Sequence, residues 1–129
     1  MYLRWLLYFS AALSLVYGLG FLLVPDAIAS AYGAKLDATA IAIARYWAAT
    51  LVGLSWVLWT AARTSGSPLK LTLCRGLEVI GIIYLVVTWL TLQTGVINTT
   101  GAIANFVIAV IYTVGFGYYG WAKKDAALV

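Results

Sequence analysis

Arg45 and Glu78 are ionisable side chains set within stretches of aliphatic and aromatic residues, and they bound the chemistry open to this chain. An ionised group in hydrocarbon costs several kcal/mol unless it is paired or hydrated, so each needs a partner or a task. Arg75 lies one helical turn before Glu78, where a local ion pair is the simplest way to satisfy both. Arg45 sits roughly 9 Å inside its run, close enough to snorkel to headgroups or to meet Asp26 or Asp37. Asn105 lies at a similar depth and could donate or accept across a bundle. Three roles are open to this set. A polar clamp that fixes helix register is the simplest. A proton or substrate path would use Glu78 as its titrating group. A contact to a lipid headgroup or a partner subunit is the third.

Much other chemistry is absent. The chain has no histidine and a single cysteine, Cys74, so the usual ligands for haem, zinc or copper and any intrachain disulfide are missing. Four acidic residues leave Glu78 as the one carboxylate deep in an apolar run, which rules out a paired-carboxylate acid/base site there. No phosphate-cradling glycine loop and no nucleophile–base pair is visible. We therefore expect no catalysis by this chain alone, and neither a catalytic residue nor a metal site.

The elements that carry these residues are four apolar runs, at about 3–24, 38–62, 71–93 and 101–122, each long enough to span a bilayer as a helix. Composition agrees: of 129 residues, 64% are hydrophobic and 9% charged. The spacing predicts an all-α integral membrane four-helix bundle with up-down-up-down topology, forming one domain over 1–129. A short interfacial helix at 26–32 follows Pro25, with Asp26 as its N-cap. The turn at 64–68 is plain. Asn98, Thr99 and Thr100 match a glycosylation sequon but are better explained as the cap of the fourth helix. A retained span fits the first run better than a cleaved signal peptide, because it is longer than a signal core.

Charge then orients the bundle. Arg4, Arg63, Lys70, Arg75, Lys123 and Lys124 gather on the side of both termini, whereas Lys35 stands alone on the other beside Asp26 and Asp37. The positive-inside rule places both termini and the Arg63–Lys70 loop on the cytoplasmic side. The net charge of +4 thereby reflects topology, and no nucleic-acid partner is expected. Arg63, Lys70, Lys123 and Lys124 suit anionic headgroups. Most tryptophans fall near the boundaries as anchors, among them Trp5, Trp59 and Trp121.

In lipid, helices approach closely where small residues allow it. The fourth run offers Gly101, Asn105, Ala109, Thr113 and Gly117 at four-residue steps. That stripe packs within the bundle or, on a sharper reading, docks against another subunit. Ser10, Ser14 and Gly18 mark the first run, Ala49, Gly53, Val57 and Ala61 the second, and Gly81 and Thr88 the third. An internal echo at an offset of 60 pairs Thr39, Ile43, Ala44 and Ala49 with Thr99, Ile103, Ala104 and Ala109, suggesting parallel repeats.

Gly20-Phe21-Leu22-Leu23, Pro25 and Tyr32-Gly33, leading into Ala44-Arg45, Leu54 and Arg63, resemble small bacterial four-helix membrane proteins of a loosely DoxX-like kind. The resemblance covers about 18–63, with Arg75–Glu78 as a continuation. It implies an accessory membrane subunit, since some members are linked to quinone-associated redox complexes; no redox site carries over without histidine or a cysteine pair. Small multidrug transporters share the length but place a glutamate in the first helix, where this chain has Ser10, Ser14 and Gly18. The expected role is therefore an accessory or scaffold subunit that binds other membrane subunits, lipid or an apolar pigment. The alternative is a small homo-oligomeric transporter coupled through Glu78.

Overall fold

The computed structural model describes residues 2–64, 68–95 and 98–123, and all regular structure among them is helical. The described residues form five helices: α1 (Tyr2–Leu23), α2 (Pro25–Ala31), α3 (Ala38–Arg63), α4 (Pro68–Thr94) and α5 (Thr99–Ala122). All but α2 are long and apolar enough to cross a membrane. The Ser65–Ser67 turn lies outside the described residues.

Local chemistry explains the helix limits. Pro25 presets a helical φ and lacks an N–H, so α2 starts on it, one residue earlier than expected. Asp26 consequently does not cap α2: Val24 holds the cap position, and Asp26 lies in the first turn at the positive end of the helix. Pro68 likewise starts α4 three residues before the expected 71. Asp37 and Asn98 are the side-chain caps, accepting from the N–H of Ala40 and of Gly101, each at 2.7 Å. Gly33 and Gly95, at φ 76° and 65°, follow the ends of α2 and α4 in the left-handed conformation that favours glycine.

The chain divides into two compact units, Met1–Arg63 and Thr64–Val129. In the first, α1 and α3 run antiparallel. Gly18 makes their close approach: a Cβ there would stand 2.8 Å from Val52 Cγ2 and 3.1 Å from the Ala48 carbonyl. Leu7, Ser10, Ala11 and Ser14 extend the buried face of α1. Tyr8 packs edge-on to Trp59, and Phe21 to Trp47. α2 folds back on α1, with Ile28 against Gly20 and a hydroxyl–hydroxyl bond between Tyr17 and Tyr32.

The face of α3 differs from the stripe expected. Ala48, Ser55, Leu58, Ala61 and Ala62 are buried, whereas Ala49, Gly53 and Val57 are exposed. Four residues turn an α-helix through about 400°, so a four-step stripe drifts by about 40° per step and cannot stay on one contact. The echo at 60 pairs residues of like burial at Thr39 and Thr99, Ile43 and Ile103, and Ala44 and Ala104, but sets exposed Ala49 against buried Ala109. What the units share is a design: a capped second helix, a buried alanine on it (Ala48, Ala109), and a glycine on the first helix (Gly18, Gly81) that admits the partner backbone.

Candidate functional site

The second unit pairs α4 with α5 antiparallel. Helix α5 is α-helical over Thr99–Val110 but π-helical over Ile111–Phe116 and Tyr118–Ala122. The Lys123 N–H donates to the Tyr118 carbonyl at 2.9 Å, the five-residue step of a wide turn. A wider turn brings four-residue steps back into register. Tyr112, Phe116 and Gly120 therefore stay buried together, and Thr113 and Gly117 also face α4. A Cβ on Gly81 would lie 2.6 Å from the Thr113 N and Oγ1, and one on Gly117 would lie 2.8 Å from Glu78 Oε1. The lower half of the small-residue stripe thus packs against the chain's own α4. Gly101 and Ala109 higher up are buried too.

This closeness assembles a polar cluster. Glu78 Oε2 accepts from Trp121 Nε1–H at 2.6 Å, a charge-assisted bond. The Arg75 guanidinium lies 4.3 Å from the centroid of the same indole, a cation–π contact. Its Nε also donates to the Gly120 carbonyl at 3.3 Å. Gly120 admits the arginine stem, since a Cβ there would be 3.3 Å from Arg75 Cγ. The local Arg75–Glu78 ion pair expected from spacing does not form: within hydrogen-bonding reach on α5 each side chain has a partner, and Trp121 stands between their roles. Trp121 was expected as a boundary anchor only. The residue is 61% exposed, but its indole N–H is committed to Glu78.

The remaining candidates lie elsewhere. Arg45 is exposed on α3 and, among the described residues, forms no ion pair with Asp26 or Asp37; the Asp37 carboxylate is occupied as a helix cap. Asn105 is half-buried on α5 and makes no side-chain hydrogen bond among the described residues. Arg63 is exposed in the last turn of α3, where a cation meets the negative helix end. Lys70 is buried, 8% exposed, rather than free at the surface. Lys123 lies over the Tyr118 ring at 5.8 Å. Lys124 lies outside the described residues. Two buried hydroxyls, Ser10 Oγ and Thr113 Oγ1, have no hydrogen-bond partner among the described residues, unlike Thr50, Thr91 and Ser55, which bond back to their own helices.

Sequence reasoning singled out Arg75 and Glu78 but missed Trp121 and Gly120 as their partners. The available signal was antiparallel pairing, which brings the start of α4 level with the end of α5. Among the described residues, no three of histidine, cysteine, aspartate and glutamate come together. No family model, curated protein or solved structure matches this chain.

Proposed function

We propose that this chain is a non-catalytic accessory or scaffold subunit of a larger bacterial inner-membrane complex. It spans the membrane four times, up-down-up-down, with both termini cytoplasmic, and binds partner helices, lipid or an apolar pigment through its helix faces. The observation that supports this best is how little of each span is covered. Only 17–28% of the most apolar window of each is buried. Trp56 is 73% exposed and Trp89 65%. Such surface must meet lipid, the chain's other unit or other subunits. Arg4, Arg63, Lys70, Arg75 and Lys123 against Lys35 support the orientation. Mild solubilisation of the native membrane followed by sizing tests the role. Migration in a complex larger than a homo-oligomer is expected, and recovery solely as a monomer or small homo-oligomer contradicts it.

One observation favours a second reading, a homo-oligomeric transporter with Glu78 as coupling residue. The Glu78 carboxylate has no cationic partner among the described residues, although Arg75 is one turn away, and it faces a π-helical segment. Such segments recur at functional sites. Under this reading, proteoliposomes show proton-dependent substrate flux that Glu78→Gln abolishes. Flux absent from both proteins removes it.

A further inference from the structure

We propose that Arg75, set over the Trp121 ring, is a binding site for the phosphate of an anionic membrane lipid. This deepens the lipid-binding part of the reading above and rests on its membrane span, not on the identity of any partner subunit. Depth comes first. Helix α4 has 27 residues, or about 40 Å, against a hydrocarbon core of roughly 30 Å. Shared between the two ends, that excess leaves the Arg75 backbone about 5 Å inside the core, a depth from which an arginine side chain snorkels to the headgroups. Trp121 and Gly120, in the last turn of α5, lie level with Arg75. Tyr118 and Tyr119 share that turn, and aromatic side chains of this kind favour headgroup level.

Charge and geometry come next. Among the described residues Arg75 is held by neutral groups, the Gly120 carbonyl at Nε and the Trp121 ring face. The Glu78 carboxylate is taken by the Trp121 N–H, which also fixes the ring on which the guanidinium rests. No hydrogen bond among the described residues occupies the two terminal nitrogens of Arg75. A planar fork with its outer edge open matches two oxygens of a phosphate. Lys70 and Lys123 add positive charge to the same end of this unit, in which Glu78 is the one acidic residue described. The shared chemistry is a phosphate oxyanion, which a lipid presents at fixed depth and a soluble anion does not.

The test uses the full chain in neutral detergent with phosphatidylglycerol or with diacylglycerol, which lacks the phosphate, reading retained lipid by native mass spectrometry. The wild-type protein should retain the phospholipid over the diacylglycerol by about tenfold, one good charge-assisted contact. Arg75→Ala should remove that preference. Arg75→Lys, which keeps the charge without the fork, should lose most of it, and helical circular dichroism shows whether each variant is folded. Arg4→Ala, which removes an exposed cation of the other unit, should retain the full preference. An equal loss in Arg4→Ala means diffuse surface charge and overturns the site, as does an unchanged preference in folded Arg75→Ala or Arg75→Lys. Displacement of the lipid by inorganic phosphate assigns the site to a soluble anion and overturns the lipid. A chain that still co-purifies with partner subunits while showing no lipid preference overturns this inference alone.

Discussion

Trp121 joins two residues that the sequence leads one to pair with each other. Its N–H serves Glu78 and its face serves Arg75, so the indole replaces an ion pair with a neutral bridge. Removing either end of the hydrogen bond should cost the same energy once. We expect Glu78→Ala and Trp121→Phe each to destabilise the protein by about 1–3 kcal/mol, with the double variant well short of their sum. Unfolding in mixed detergent micelles measures this, and strict additivity would show that the bond carries no coupling. The glycines make a second, sharper contrast. Gly81→Ala drives a Cβ to within 2.6 Å of the Thr113 backbone nitrogen, and backbone cannot yield cheaply, so a loss of about 1–3 kcal/mol is expected. Gly53 has nothing within 4 Å, so Gly53→Ala should be neutral or gain about 0.5–1 kcal/mol from helix propensity. The same unfolding assay ranks them, and equal effects would contradict the packing described for α4 and α5. Of these residues, composition and depth reveal Arg75 and Glu78, because charge in hydrocarbon is conspicuous. Gly53 and Gly81 look alike in sequence, since what a glycine admits depends on the helix opposite it.

Helices α3 and α5 begin in the same way, with a side-chain oxygen 2.7 Å from an N–H three residues on. Asp37→Ala and Asn98→Ala should each cost about 1 kcal/mol, read in the same unfolding assay, whereas Asp26→Ala, which removes no cap, should cost less. A larger loss at Asp26 would restore it as a structural cap. The existence and extent of the long helices are legible from apolar run length alone, with starts displaced by one to three residues where a proline or an Asn cap acts. The packing faces are less legible. A stripe at four-residue steps suits α5, where π-helical turns hold that step in register, and misleads on α3, where regular turns carry Ala49 and Gly53 out to the exposed side. Nothing in residue type announces that difference, because glycines and small residues occur in both helices.

At the scale of the whole chain, the four spans and the concentration of cations on one side are parts of a single claim about solvent. Under the proposed reading lipid surrounds the apolar faces, and the electrical asymmetry keeps both termini in the cytosol. Exposure of Trp56, Trp89 and Tyr46 is then ordinary rather than a liability, since these rings meet acyl chains, headgroups or neighbouring helices. The partner is the part that sequence does not carry, because small and aromatic residues recognise lipid and helix alike. Single-cysteine accessibility in intact cells tests the claim most directly, with Cys74→Ser as background and probes placed by Tyr2→Cys, Lys35→Cys and Lys123→Cys. An impermeant maleimide should label position 35 from outside, and positions 2 and 123 only after the inner membrane is opened. Labelling of positions 2 and 123 from opposite sides would contradict the account.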